Sequence, residues 1–217
     1  MIQQFIETIC ISDGTICLPE MHKARMCATV EKIFHRPAQL TGFPTTVPEP
    51  FRKGKVKCRI VYDTAIREVT FTPYTPRRID TLRLVEGHNI DYALKYADRS
   101  ALERLREMRD GCDDILIVKD GCLTDTSYSN IVLENSHGLF TPDTCLLNGV
   151  RRRHLLATGQ IRETRITPAD LSTYTRLYLI NALLDISDNI SLPVTNILRF
   201  LFTHNYLINN EICNQGK

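Results

Sequence analysis

The stretch that decides the fold runs from Asp114 to Pro142 and reads DILIVKDGCLTDTSYSNIVLENSHGLFTP. Its first half predicts a strand, an Asp-Gly turn at residues 120–121 and a short returning strand. The apolar runs 131–133 and 138–142 predict a further hairpin pair. A β-rich segment therefore lies in the middle of the chain.

Outward from this segment, strands continue to dominate and helices are few. A strand at 4–11 precedes an Asp-Gly turn at 13–14, and helix-like spacing of apolar residues begins at Pro19. The other predicted strands are 55–62, 68–74, 82–85 and 174–180, and further helices follow Lys95 and Gly149. These elements indicate an α+β protein with two lobes, a cleft between them and a division near residues 80–90.

The composition excludes several classes of protein. Among 217 residues, 27 basic and 25 acidic side chains give a net charge of +2, which argues against a nucleic-acid binder. The eight cysteines form no CxxC pair or Cys/His knuckle, so we expect no metal site. The start of the chain reads as a strand and no apolar run is long enough to cross a membrane. We therefore expect a cytoplasmic protein with reduced thiols and no membrane partner.

Lys95 is the first candidate for chemistry. It lies in IDYALKYADR, residues 90–99, beside Ala93, Leu94 and Ala97 and at a predicted strand-to-helix junction. A lysine in apolar surroundings can have a lowered pKa and act as an amine nucleophile. A solvated surface lysine is the alternative, and the local sequence alone favours it.

Asp125 is the second candidate. A carboxylate at the end of a strand can pair with a protonated ring nitrogen of a cofactor and keep that ring an electron sink. The surrounding residues 123–130, LTDTSYSN, also suit an ordinary turn, and taken alone this second interpretation is the stronger.

Three other places could bind an anion. Gly149 precedes a predicted helix, whose first N–H groups would suit a phosphate, although the arginines at 151–153 equally fit a solvated face. Asn181 and Ala182 end a strand and could supply more donors or simply terminate it. His22 and Arg25 share one helical face, where such pairs are usually surface features.

The order of these motifs resembles the class IV aminotransferases, the fold-type-IV pyridoxal-phosphate enzymes, over residues 5–192. That family includes branched-chain aminotransferases, D-amino-acid aminotransferases and aminodeoxychorismate lyases. The similar motifs are FIET at 5–8, HKAR at 22–25, KYADR at 95–99, LTDTSYSNI at 123–131, TP at 141–142, LNGVRR at 147–152 and NAL at 181–183. KYADR and NAL are closest to the lyase patterns.

The resemblance implies a fold and a set of roles. Residues 1–85 would form a small N-terminal α/β lobe, 86–200 a larger C-terminal pseudo-barrel lobe that binds the cofactor, and 201–217 a tail. Lys95 would form a Schiff base with pyridoxal 5′-phosphate and move the α-proton, and Asp125 would pair with the pyridine nitrogen. The implied cofactor-binding residues are Arg25, Lys95, Asp125, Asn130, Gly149, Val150, Arg151, Asn181 and Ala182.

The sequence departs from the family pattern in two places: one affects how far the Asp125 side chain extends toward the cofactor, and the other affects which substrate is bound. Asp125 stands where the family usually has a longer glutamate, and the segment at 62–68 lacks the glycines of the family's R-G-x-x-x-R-G-Y.

The resemblance leaves three functions open for an amino-acid-like small molecule. The first is aminodeoxychorismate lyase, which gives 4-aminobenzoate and pyruvate and serves folate biosynthesis. The second is a branched-chain or D-amino-acid transaminase, and the third a family member that binds the cofactor without turnover. The resemblance also implies a homodimer.

Overall fold

A computed structural model describes residues 2–199 of the chain. The three helices in this part are α1 Pro19–Phe34, α2 Ser100–Glu107 and α3 Val150–Ala157. The strands are β1 Phe5–Ser12, β2 Thr15–Ile16, β3 Lys55–Tyr62, β4 Ile66–Pro73, β5 Leu82–Glu86, β6 Asp114–Lys119, β7 Cys122–Thr126, β8 Asn130–Asn135, β9 Gly138–Pro142, β10 Arg162–Thr164, β11 Arg176–Ile180, β12 Ser191–Pro193 and β13 Ile197–Leu198.

The first sheet is antiparallel, with strand order β2-β1-β3-β4. Side chains alternate between the two faces of a strand, and in β1 this places Phe5, Ile9 and Ile11 on one face. These residues form a core with Met26 and Val30 of α1. The opposite face of the sheet is left for more polar side chains.

The second sheet is mixed, with strand order β10-β9-β8-β7-β6-β5-β13, while β11 pairs with β8 and β12. β5 runs parallel to β6, and the chain then continues antiparallel from β6 through β9. Its largest core cluster includes Leu82, Leu116, Leu133 and Leu177. Most strand pairs in both sheets are antiparallel and the three helices are short, so the α+β prediction is confirmed.

The strands before β5 belong to the first sheet, and β5 and all later strands belong to the second. Since β5 pairs with β6, the change of sheet falls between Pro73 and Leu82, ahead of the predicted division between residues 85 and 86. The division into two lobes stays a prediction, and the predicted tail at 201–217 lies outside the described residues.

The helix after Lys95 begins later than the sequence predicts. α2 starts at Ser100, and the side chain of Asp98 accepts a hydrogen bond of 2.9 Å from the Ser100 N–H. Before it, the Lys95 carbonyl accepts from Ile6 N–H at 2.9 Å, and Ala97 N–H donates to the Gln4 carbonyl at 2.9 Å. The Lys95 segment is therefore held against β1, with an antiparallel bridge between Phe5 and Tyr96.

Candidate active site

A pocket of about 330 Å³ lies between the polar face of the first sheet and the second sheet. Its lining comes from many parts of the chain: α1, β1 and β3, the residue after β4, the Lys95 segment, the loop from β7 to β8, the start of α3 and the residues after β11. The lining residues include Ile6, Thr8, Arg25, Lys57, Arg59, Tyr74, Tyr92, Lys95, Arg99, Asp125, Ser127, Tyr128, Ser129, Asn130, Leu147, Gly149, Val150, Asn181, Ala182 and Leu183.

Eight of the nine residues predicted to bind a cofactor line this pocket: Arg25, Lys95, Asp125, Asn130, Gly149, Val150, Asn181 and Ala182. The ninth, Arg151, is not among the lining residues, and its guanidinium pairs with Asp185 at 2.6 Å. The structure thus brings together residues far apart in the sequence, while their roles stay predictions.

Lys95 presents its amine to the pocket from the segment that is held against β1. Loss of solvent around the ammonium and the nearby positive charge of Arg25 lower its pKa to about 8. More of the amine is therefore neutral near pH 7–8 than for a lysine in water, which suits a nucleophile or a proton acceptor.

Asp125 also lines the pocket, near the end of β7, and is 6% exposed. Its two oxygens accept 2.9 Å hydrogen bonds, one from the Asn130 amide and one from the Leu147 N–H. Burial raises its pKa to about 6 despite these donors. In the part of the chain that the structure describes, only neutral donors lie within hydrogen-bond distance of this buried carboxylate, which suits it to receive a cationic partner.

The start of α3 also lines the pocket. Gly149 precedes the helix, and no side chain in the described part of the chain caps it. The first N–H groups of a helix lack partners within it and attract anions. A Cβ at Gly149 would lie 2.2 Å from Asn130 Oδ1, so glycine is what allows the helix to begin this close to Asn130.

Arg25 reaches the pocket from α1 and is fixed by Glu7 of β1. Its Nε donates to Glu7 Oε2 at 3.1 Å, its Nη2 donates to Glu7 Oε1, and His22 Nδ1 also lies within hydrogen-bond distance of Oε1. Burial would raise the pKa of Glu7, but the Arg25 charge and the contacts with His22 and Arg25 lower it to about 2. Glu7 therefore stays ionised and holds Arg25 in place.

Comparison with known proteins assigns the family. The family model for class IV amino-transferases matches residues 4–191. The chain belongs to the class IV aminotransferase family. Members of this family are pyridoxal-phosphate-dependent transaminases and lyases, so the predictions of family and enzyme class are confirmed.

Individual relatives agree with this assignment. An uncharacterized protein from Haemophilus influenzae is 31% identical over 180 residues, covering 82% of this chain and 96% of its own. A structure from Haemophilus somnus, named a "putative 4-amino-4-deoxychorismate lyase", has a TM-score of 0.74 at 29% identity and covers 83% of this chain and 96% of its own.

The fold is shared more widely than the sequence. The PLP-bound form of a protein from Mycobacterium tuberculosis, named a "hypothetical aminotransferase", superposes with a TM-score of 0.63 at 18% identity, over 83% of this chain and 78% of that one. This confirms the prediction of a fold-type-IV architecture.

Two features of this class IV aminotransferase were missed in the sequence. Glu7 was given no role, although it occupies an inward position between Phe5 and Ile9, where a charge needs a partner. Lys57 and Arg59 also line the pocket, and they alternate with apolar residues along β3. Strand alternation is the signal that could have found both.

The arginines at 151–153 of this family member are not a solvated face. Arg152 is buried and donates from Nη2 to the Pro142 carbonyl at 2.8 Å, and Arg153 donates to the Met21 carbonyl at 3.2 Å. The run therefore ties α3 to its surroundings. Within residues 2–199, no cluster of His, Cys, Asp and Glu could hold a metal ion, and no helix is long and apolar enough to cross a membrane.

Proposed function

We propose that this chain binds pyridoxal 5′-phosphate in the pocket and acts as an aminodeoxychorismate lyase that releases 4-aminobenzoate and pyruvate. The observation that carries the proposal is that Lys95 and Asp125 line the same pocket. The first is a cation whose pKa is lowered to about 8, and the second a carboxylate whose pKa is raised to about 6. Such opposed environments indicate acid–base chemistry at a bound ring.

The donors in the pocket fit this cofactor. Asp125 has a buried carboxylate for a protonated ring nitrogen, and the uncapped start of α3 has N–H groups for a phosphate. Val150 and Arg151 would donate these N–H groups, and Arg25 and Ala182 lie on the lining where they would complete the phosphate site. Asn130 and Asn181 would act by orienting other groups, because the amide of each is hydrogen-bonded within the protein.

Lys95 would hold the cofactor covalently through Nζ, and the same amine would serve as the base for the substrate. When bound, the cofactor supplies an electron sink for the carbon that carries the amine. Lys95 would take the proton from that carbon. Enolpyruvate would leave from the neighbouring carbon with the electrons of its C–O bond, and the substrate ring would become aromatic.

Two observations support the lyase over a transaminase. Arg99 and Asn181, which belong to the lyase-like motifs KYADR and NAL, both line the pocket. Arg99 donates to the Ser127 carbonyl at 2.8 Å. The Haemophilus somnus relative, at 29% identity, carries the name of that enzyme.

The test begins with the cofactor. Purified protein incubated with pyridoxal 5′-phosphate should show a visible absorbance band that borohydride removes by reduction, and Lys95→Ala should show no such lysine-linked band. Lys119→Ala is a matched control, since Lys119 contacts the Ile90 carbonyl outside this pocket and should leave the band intact. A wild-type protein that never acquires the band would disprove the cofactor assignment.

The reaction is tested with aminodeoxychorismate. Production of 4-aminobenzoate without any keto-acid acceptor would support the lyase, whereas turnover that strictly requires 2-oxoglutarate would show a transaminase. We also propose a homodimer, as is typical of the family; a mass near 25 kDa in light scattering would contradict it.

A further inference from the structure

We propose that Lys57 and Arg59 form a subsite for a second carboxylate of the substrate, on the pocket wall made by the first sheet. The inference deepens the proposed function and rests on it, because it concerns the substrate of the same pocket. The subsite would select a dicarboxylate, with the amine at the Lys95 end and an anionic group reaching the first sheet.

The strand geometry places both cations on the pocket side. Residues directly opposite each other in an antiparallel sheet share a face, and Arg59 lies opposite Thr8 while Lys57 lies opposite Cys10. Thr8, Lys57 and Arg59 all line the pocket. Cys58, which lies between them, points to the other face and is buried in the core with α1.

Neither cation is satisfied by the protein. Within residues 2–199, no ion pair or hydrogen bond is formed by the side chain of Lys57 or Arg59. Lys55, two residues earlier on the same face, contrasts with them: it binds Asp188 at 2.6 Å and the Leu183 carbonyl at 3.1 Å. Half-buried cations that face a cavity without a partner favour an anionic ligand.

The other pocket cations are already engaged. Arg25 is bound by Glu7, Arg99 donates to the Ser127 carbonyl, and Lys95 has the role proposed above. Asp125 is the one acidic residue that lines the described pocket. Lys57 and Arg59 therefore add positive charge beyond what the neighbouring groups use.

This surplus distinguishes between substrate classes. A branched aliphatic side chain placed against two charged groups would desolvate them without forming any hydrogen bond in return. A carboxylate would replace that water with charge-assisted hydrogen bonds, and a guanidinium can bind it through two N–H groups. Aminodeoxychorismate carries two carboxylates and fits this requirement.

The kinetic test uses the cofactor-loaded enzyme and aminodeoxychorismate. Lys57→Gln and Arg59→Gln should each raise KM about 10- to 100-fold with little change in kcat, the range expected for one hydrogen bond to a charged group. Lys53→Gln is the matched control: it removes a charge at an exposed position just before β3 and should leave both constants unchanged. Equal constants for all three variants and the wild type would overturn the subsite.

A binding test separates this inference from the lyase assignment. Calorimetry would compare 3-(carboxymethoxy)benzoate, a non-reacting dianion, with 3-methoxybenzoate, a monoanion of similar shape. We expect the wild type to prefer the dianion and Arg59→Gln and Lys57→Gln to lose most of that preference. If the preference holds but no 4-aminobenzoate forms, the subsite stands and the lyase fails; if 4-aminobenzoate forms but the preference is absent or survives both variants, the subsite fails.

Discussion

Two buried carboxylates near the pocket, Glu7 of the first sheet and Asp125 of the second, have opposite electrostatic environments. Glu7 contacts Arg25 and His22, and its pKa falls to about 2. Asp125 contacts an amide and a backbone N–H, and its pKa rises to about 6. Burial is common to both, so the neighbouring cation decides the direction.

The difference indicates different tasks. Glu7 already has its cation in the protein and can serve only to orient Arg25. Among residues 2–199 no cation lies within hydrogen-bond distance of Asp125, and its ionised form gains most when a positively charged ring nitrogen arrives. A buried carboxylate without a cationic partner among the described residues is therefore a better indication of a ligand site than a carboxylate that is already paired.

The largest effect is expected from Asp125→Asn. The amide keeps the size of the side chain but carries no charge to stabilise a protonated ring nitrogen. We expect kcat/KM of the cofactor-loaded enzyme to fall roughly 10³-fold, about 4 kcal/mol of transition-state stabilisation.

Asp125→Glu is the matched control, because it keeps the charge and restores the residue usual in the family. It should retain most of the activity lost in Asp125→Asn. If Asp125→Asn stayed within tenfold of the wild type, the charge would have no role in turnover.

Glu7→Gln should chiefly destabilise the fold. It removes the negative charge from a buried cluster and leaves Arg25 unpaired, which we expect to cost about 3 kcal/mol. Urea unfolding of the cofactor-free protein measures this. Glu20→Gln, which removes an exposed carboxylate paired with Lys23 on α1, should change stability by less than about 0.5 kcal/mol. Equal losses for the two variants would mean that Glu7 is not a buried partner of Arg25.

The pH dependence of stability should show the two carboxylates acting in opposite directions. The folded-state pKa of Asp125 is raised from 3.8 to about 6, so between these values the folded protein holds a proton that the unfolded chain has lost. This contribution is present below pH 4 and is lost as the pH rises to 6. For Glu7 the pKa is lowered from 4.5 to about 2, so its contribution is present above pH 4.5 and is lost toward pH 2.

Subtracting the unfolding free energy of Asp125→Asn from that of the wild type isolates the Asp125 effect. In cofactor-free protein this difference should decline by about 2 kcal/mol between pH 4 and pH 7, since each pKa unit is worth about 1.36 kcal/mol and part of the decline occurs below pH 4. A difference that stays flat across this range would show that Asp125 is not a desolvated carboxyl.

Much of the fold could be predicted because its signals are local. The Asp-Gly pairs at 13–14 and 120–121 adopt positive φ, as tight hairpin turns require, and α1 follows the apolar spacing that begins at Pro19. The start of α2 could not be read in this way. The chain before it is held by hydrogen bonds to Gln4 and Ile6, some 90 residues away, which no local periodicity reports.

The site divides along the same line. Motif order placed Lys95, Asp125 and Gly149 together because a family pattern summarises tertiary proximity. Glu7, Lys57 and Arg59 were missed because their importance depends on what faces them across the sheet and the pocket. Alternation along β1 and β3 shows which face each occupies, but only the packed structure shows that Glu7 meets Arg25 while Lys57 and Arg59 meet a cavity.

The smallest effect is expected from Asn130→Ala, which sharpens the account of Asp125. Asn130 donates one of the two hydrogen bonds that favour the ionised carboxylate, so its loss should raise the pKa of Asp125 by roughly one further unit, about 1.4 kcal/mol. The pH window of the stability measurement should move upward accordingly. Asn135→Ala, at the far end of β8, should leave that window in place. A window unmoved in Asn130→Ala would mean that the Asn130 donor does not help to set the pKa of Asp125 and only positions its oxygen.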